Sequence, residues 1–399
     1  MTEIQKDNKN IANVPHLRFP GFTDEWELTS VDENCLLKGR IGYRGYTTGD
    51  LVEEGKGAFV LGGKHIKNQT IDLSEPTFLS WDKYYESPEI MVKVGDIIFS
   101  QRGTLGDCAI IEKEIGFATI NPSMVLLKDI TCNPKFLYYI LIGENIQNEV
   151  QKNKALGAIP MLSQKQIKNF PFLIPKNPNE QQKISSFLSL IDEKIQTQIK
   201  IIEELKLLKN TLSKKIFSRQ LTFKDDNGND FPEWQHKKLG ELATITTGSS
   251  NREDSILDGE YTFFDRSQDV RTSKRYLFNK EAVIVPGEGQ KFTPKYFMGK
   301  FDLHQRTYAI FDFIELSGKY LYYHIDIDEK YLQSQAVGST VKSLRLPMFQ
   351  SMPIKFPPLE EQMKIANFLS SIDTKIDIET ELLEKLEEQK KYLLQNLFI

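Results

Sequence analysis

The segment ISSFLSLIDEKI (184–195) returns as IANFLSSIDTKI (365–376), with Ile, Phe, Leu, Ser, Ile, Asp, Lys and Ile at matching positions 181 residues apart. The echo is wider than these twelve residues. Glu180, Gln181 and Lys183 recur as Glu361, Gln362 and Lys364, and before them the proline-ended apolar strands of FPFLIPKNPNEQ (170–181) and MPIKFPPLEEQ (352–362) correspond. KFLYYI (135–140) parallels KYLYYH (319–324), and IIFSQRG...FATINPSMVLL (97–127) parallels VIVPGEG...FDLHQRTYAIF (283–311), at an offset of 184 except for the first of these strands. FTDEWEL (22–28) finds a partner in FPEWQHKKL (231–239). The chain is a tandem duplication, each half a variable globular region followed by a long helix.

Both helices carry start signals. Asn177, Pro178 and Glu180 occupy the places of an N-cap, a first-turn proline and a capping-box acid, and Pro358 opens the second helix in the same way. The apolar spacing says more. Ile184, Leu188, Ile191, Ile195, Gln198, Ile202, Leu205, Lys209, Leu212 and Ile216 alternate steps of four and three, the seam of a coiled coil. The second copy runs Ile365, Leu369, Ile372, Ile376, Glu379, Leu383, Leu386, Lys390, Leu393 and Leu397, and is broken at the same two places. An antiparallel pairing that sets Gln198 against Lys390 and Lys209 against Glu379 leaves every other layer aliphatic. A parallel one would bury Lys209 against Lys390, at a cost in stability. The expectation is an antiparallel pair within one chain, with the polar layers fixing register.

Size and composition agree with several folding units. At 399 residues the chain is too long for one ordinary core, and its apolar fraction of 40% suffices for more than one. No apolar run approaches the roughly 18 residues a bilayer span needs, and the first residues lack the apolar stretch of a secretory signal, so a cytoplasmic protein with no membrane partner is expected. Cys35, Cys108 and Cys132 are without CxxC spacing and five histidines are scattered, which argues for reduced thiols and against a metal site. A net charge of −4 counts against nucleic-acid binding through bulk positive charge, though not through local patches.

The doubled pattern of a proline-ended strand, EQxKIxxFLxxID and a long helix, behind two dissimilar globular regions, resembles the DNA-specificity subunit of type I restriction-modification enzymes. The resemblance spans Leu17 to Ile399. It implies an α+β fold: two mixed α/β target-recognition domains in tandem, joined by two long antiparallel coiled-coil helices. The expected boundaries are a leader at 1–16, a first recognition domain at 17–160, a central spacer helix region at 161–221, a second recognition domain at 222–350 and a C-terminal spacer helix region at 351–399. Each domain would read one half of an asymmetric, split site in double-stranded DNA. The helices would dock two modification subunits, and two restriction subunits would join them. S-adenosylmethionine, ATP and Mg would belong to those partners, with no cofactor or metal in this chain. A seam from residue 191 to 216 covers about 40 Å at about 1.5 Å per residue, comparable with the roughly 34 Å of one DNA turn, so the helices would act as a ruler. A protein-binding scaffold with duplicated domains, indifferent to DNA, is the alternative.

Composition and motif position give the candidate DNA contacts. KGRIGYRGY (38–46) interleaves Lys38, Arg40 and Arg44 with glycines and Tyr43, suiting backbone approach to phosphate and side-chain reach to bases. SQRGTLG (100–106) places Gln101 and Arg102 on a glycine-rich loop after an apolar strand; Gln and Arg are the residues that pair bidentately with adenine and guanine. In the second half the equivalent loop PGEGQKFTPK (286–295) carries Gln290, Lys291 and Lys295. TTGSSNRED (246–254) offers Ser250, Asn251 and Arg252, and RTSKR (271–275) contributes Arg271, Lys274 and Arg275. GSTVKSLR (338–345) resembles the family's loop between domain and helix, with Ser339, Thr340 and Lys342, although its first copy GAIPMLSQ (157–164) lacks the Ser-Thr pair. Tyr138, Tyr139, Tyr322 and Tyr323 have apolar helical neighbours and are read as core.

Catalytic motifs are not found. INPSM (120–124) departs at Ser123 and Met124 from the Asn-Pro-Pro-aromatic motif of adenine methyltransferases and reads as a strand entry. GGK (62–64) and GEGQK (287–291) lack phosphate-loop spacing. Glu112 and Glu114 beside Lys113 form a common surface arrangement. The expectation is a non-catalytic subunit.

Overall fold

The structure, a computed structural model, describes residues 13–154 and 160–399. Most of the expected leader, and residues 157–159 of GAIPMLSQ, lie outside the described residues. The chain divides into two compact units, Met1–Thr197 with Leu383–Ile399, and Gln198–Leu382. The helical regions expected as separate spacers are shared between these units.

Four helices carry the repeat: α1 (Pro134–Ile142), α2 (Pro178–Phe217), α3 (Gly318–Ile327) and α4 (Leu359–Leu397). In the first unit, two four-stranded sheets form the globular part. One runs in the order Leu36–Gly39, Met124–Lys128, Ile97–Ser100, Cys108–Ile110; the other Ala118–Ile120, Gly57–Leu61, Phe78–Ser80, Leu51–Val52. Val125 lies opposite Phe99 in the first of these. The second unit holds one six-stranded sheet, ordered Thr244–Thr247, Thr307–Phe311, Phe278–Pro286, Lys295–Leu303, Tyr261–Phe264, Arg271–Ser273. There Thr307–Phe311 pairs with Phe278–Pro286 as Met124–Lys128 pairs with Ile97–Ser100, and Val283 lies opposite Ile310.

What the two units share is the base on which each sheet stands. Gln181 donates to the carbonyl of Pro175 (2.9 Å) and accepts from the N–H of Asn133 (3.0 Å), the residue that caps α1. Gln362 likewise donates to Pro357 (2.8 Å) and accepts from Ser317 (2.8 Å), which caps α3. Each glutamine thereby satisfies a backbone donor at the start of the short helix and a carbonyl ahead of the long one. Its neighbour is not the capping-box acid expected. Glu180 turns inward to accept from the Trp26 indole (3.3 Å) and from Nε and Nη2 of Arg18 (2.8 and 2.9 Å), while Asn177 alone caps α2. Glu361 accepts from the Trp234 indole (3.2 Å). A buried indole N–H needs an acceptor, and the duplicated Glu supplies it.

An aromatic cluster seals each base. Phe136 lies 5.9 Å from Trp26 and 5.3 Å from Phe398, at the end of the chain. In the second unit Phe217, at the end of α2, lies 5.5 Å from Tyr320 and 6.4 Å from Trp234. Tyr138, Tyr139 and Tyr323 are buried, as core residues should be, and Tyr322 is half-buried.

Where α2 and α4 meet inside each unit they run antiparallel, but in a register other than the one expected. Lys390 pairs with Asp192 (2.7 Å) in place of Gln198, and Lys209 with Asp373 (2.7 Å) in place of Glu379. Gln198 instead donates to the side chain (2.5 Å) and carbonyl (2.9 Å) of Glu379. Both lysines thus meet a carboxylate six residues from the predicted partner. The reason lies off the seam. Asp192 and Asp373 each follow a seam isoleucine, and each also accepts from a tyrosine of its own unit, Tyr139 (2.7 Å) or Tyr323 (2.6 Å). Pairing seam residues only with each other leaves those acids out. The seam residues themselves are buried or half-buried throughout.

Asp373→Ala strands a half-hidden lysine and a buried phenol together, and is expected to cost about 2–3 kcal/mol in urea unfolding, with Asp192→Ala costing a similar amount. Unfolding unchanged within about 0.5 kcal/mol would show that the ion pairs do not set the register. A second expectation concerns pH. His324, packed 5.5 Å from the Phe217 ring, has its pKa pushed down by burial to about 4. As pH falls from about 6.5 towards 4, the unfolded chain takes up a proton that the folded one refuses, so up to about 3 kcal/mol of stability is lost in that window. His324→Phe should flatten this part of the stability profile; an unchanged slope would refute it.

Candidate nucleic-acid interface

In the first unit three loops converge on one cleft. Arg40, Gly42 and Gly45 line it from the loop after Leu36–Gly39, Gln101 and Arg102 from the loop after Ile97–Ser100, and Met161 to Gln164 from the approach to α2. The Arg102 backbone bridges to Met161 and its guanidinium lies 3.1 Å from the Met161 sulfur, which fixes the loop across the cleft mouth. Gln101 donates to the carbonyl of Pro122 (3.0 Å). The two segments singled out by composition are therefore neighbours in space.

Their residues play different parts. Arg40 is buried: its guanidinium donates to the Ile120 carbonyl (3.3 Å) and the Thr119 hydroxyl (3.1 Å), and sits 5.2 Å from the Tyr46 ring. Burial lowers its pKa below the usual guanidinium value. It is the pin that holds the loop to the sheet, a use that the pattern of basic and glycine residues did not disclose. Tyr43 is 79% exposed, with Arg44 5.5 Å from its ring and tied to Glu89 (3.3 Å). Lys38 and Arg102 face solvent.

In the second unit the candidates form two groups. Ser250, far from reaching solvent, is buried and donates to the buried Asp302 (2.5 Å); Ser273 does the same (2.9 Å), and Arg275 donates to Ser250 (2.8 Å). Gly248 makes this possible, because a Cβ there would collide with the carbonyl of Leu303. Asn251, Arg252 and Lys274 are exposed, and Asn251 accepts from Gln305 (2.7 Å). Arg271 lies 3.2 Å from Asp265. The other group gathers where Glu288–Gly289 pairs with Lys342–Ser343, bringing Gln290 to within 3.5 Å of the Thr340 carbonyl. Lys291, Ser339 and Thr340 are exposed and Lys342 is half-buried. Lys295 turns inward onto the carbonyl of Ser267 (2.6 Å), and burial lowers its pKa. The turn at His304 to Arg306 joins the groups, Gln305 bonding to Asn251 and Arg306 to Glu288 (2.6 Å). Arg266 and Arg306, both on Glu288, were missed: each is the lone arginine of its turn, and only the fold unites them.

Among the described residues there is no group of three or more His, Cys, Asp or Glu placed to hold a metal, and no helix long and apolar enough to cross a membrane. Asn121 of INPSM accepts from the N–H (3.0 Å) and hydroxyl (2.7 Å) of Ser123, a turn between strands.

A family model described as the type I restriction modification DNA specificity domain matches residues 50–207 and again residues 232–388. The chain belongs to this family. The putative type I restriction enzyme MjaX specificity subunit of Methanocaldococcus jannaschii is 25% identical over 355 residues, covering 82% of this chain and 83% of that one. The EcoDI specificity subunit of Escherichia coli is 29% identical over 154 residues, 39% of this chain and 34% of its own length. A third relative, the MjaVIII specificity subunit of Methanocaldococcus jannaschii, is likewise matched over less than half its length, 46%. In fold, the crystal structure of a type I S subunit from M. genitalium superposes with a TM-score of 0.63 at 18% identity, over 97% of this chain and 99% of that one. A chain from a structure on complex assembly and conformational transition of the type I R-M system gives 0.55 at 16% identity, over 96% and 99%. The tandem specificity domains of the family are thus the two repeats read from the sequence.

Arg40→Ala should destabilise the first unit by about 2 kcal/mol, since it leaves buried acceptors without donors, whereas Tyr43→Ala should stay within about 0.5 kcal/mol. Equal stability of both variants in thermal unfolding would overturn the assignment of Arg40 as a pin.

Proposed function

We propose that this specificity-family chain reads an asymmetric, bipartite site in double-stranded DNA, one half-site by each unit, and acts as a non-catalytic assembly subunit in the cytoplasm. The observation that carries this reading is the contrast between the two units. Their bases repeat the same Gln, Glu, Trp, Asp and Lys contacts, while the loop clusters they hold up differ in sheet architecture and in the pattern of their polar side chains. Equivalent supports carrying unlike polar surfaces suit two unlike half-sites. The helices α2 and α4 would set the spacing between half-sites. They would also dock two modification subunits and, with them, two restriction subunits. Those partners would supply S-adenosylmethionine-dependent methylation and ATP- and Mg-dependent translocation and cleavage.

The exposed polar and basic residues of the clusters, Lys38, Tyr43, Arg102, Asn251, Arg252, Lys274, Arg275, Gln290, Lys291, Ser339 and Thr340, are the proposed DNA contacts. Arg44, Gln101, Arg271 and Lys342 flank them. With Arg40, Ser250 and Lys295 holding the loops, net charge need not be positive for binding to occur. Binding by the chain alone should be weak, and addition of the modification partner should confer tight, sequence-specific and salt-sensitive binding.

The test is to map methylated adenines in a genome with and without this chain, then with residues 17–160 exchanged for those of a relative. One half of the methylated motif should change and the other persist. A motif that changes throughout, or methylation independent of the chain, would refute the reading. In solution, log affinity for the split site should fall steeply with log salt, as phosphate neutralisation requires; a flat salt response would favour a protein-binding scaffold.

A further inference from the structure

Two arginines from separate loops of the second unit converge on one carboxylate. Arg266, in the turn after Tyr261–Phe264, donates through Nη1 to Oε2 of Glu288 (2.7 Å), and Arg306, in the turn before Thr307–Phe311, donates through Nη1 to Oε1 (2.6 Å). The acid is 16% exposed, tucked behind arginines that are 50% and 57% exposed. All three loops are pinned by their backbones. Gly287 donates to the carbonyl of Arg306 (2.9 Å) and accepts from Leu344 (2.8 Å), and a side chain at Gly287 would crowd Arg306 and Tyr308. Ser267 donates to Asp265 (2.7 Å) and its carbonyl receives Lys295, which braces the turn bearing Arg266. The Arg306 N–H donates to Nδ1 of His304 (3.0 Å), a ring that burial holds towards its neutral form.

Such an arrangement is unusual for a surface ion pair. Two guanidinium groups side by side repel, and the shared carboxylate both offsets that repulsion and anchors one nitrogen of each fork. Each arginine has five N–H donors and uses only one on Glu288, so the outward edges remain free to donate in pairs. The acceptor that matches a planar pair of donors in the major groove is the O6/N7 edge of guanine. The two forks are held by the two oxygens of one carboxylate, and neighbouring base pairs stack about 3.4 Å apart along a strand, so two adjacent forks suit two adjacent base edges.

The geometry points to Arg266 and Arg306 as a base-reading pair for neighbouring G·C base pairs in the half-site of the second unit, aligned by Glu288. Glu288 is then a positioning residue, one step removed from the DNA. This inference rests on the DNA-specificity reading above and adds to it the residues and the base class.

The test uses the full chain assembled with its modification partner and a pool of duplex DNA randomised in sequence, the bound fraction being sequenced. Arg266→Lys and Arg306→Lys keep the charge and lose the fork; Glu288→Gln loosens both. The wild type should select G·C pairs within the half that is insensitive to exchange of residues 17–160. Each lysine variant should flatten preference at one position there by about tenfold or more, with the other half intact. Glu288→Gln should weaken preference at both positions. If it fails to assemble, the two exposed lysine variants decide the matter. A uniform loss of affinity with the motif preserved would mean phosphate gripping and would overturn the proposal, as would no change at all. If the wild type selects no motif, the specificity reading itself fails and this inference falls with it.

Discussion

The structure turns on a carboxylate that serves two masters. Asp192 and Asp373 each accept a lysine from the antiparallel helix and a tyrosine hydroxyl from the globular part of the same unit. Neither pairing alone would specify much: a partly exposed ion pair contributes modestly, and a tyrosine can find other acceptors. Together they make helix register and domain seating a single condition, since a slide of the helix would take the acid from the lysine and the phenol at once. The glutamine and glutamate at the start of each long helix act in the same sense, one tying the short helix to it and the other holding the buried tryptophan.

Much of this was legible in the sequence, because the duplication prints each device twice. The seam positions, the antiparallel sense, the tyrosines as core and the correspondence of Trp26 with Trp234 all follow from comparing the halves. Register did not, for a physical reason. A heptad pattern identifies which residues face inward, but the acids that choose the lysines' partners flank the seam and are set by Tyr139 and Tyr323, more than fifty positions from the lysines they help to place. The same limit explains Glu180, whose position fits a capping box until a distant indole claims it.

The candidate interface was legible in outline only. Glycine and basic residues after apolar strands marked loops that gather in space, since such loops must stand at the ends of strands. Which side chain faces outward depended on partners that no local pattern contains: Thr119 and Ile120 for Arg40, Asp302 for Ser250, Ser267 for Lys295. The reverse held for Arg266 and Arg306, unremarkable in their own segments and joined only through Glu288.

The buried guanidinium of Arg40 has a consequence for how such a molecule can change. Because the loop is moored from behind, by contacts that do not involve Tyr43, that outward side chain is free of any duty to the core. Substitutions at Tyr43 can accumulate without loosening the scaffold, so the outer face of this loop can be rebuilt while the unit beneath it stays folded.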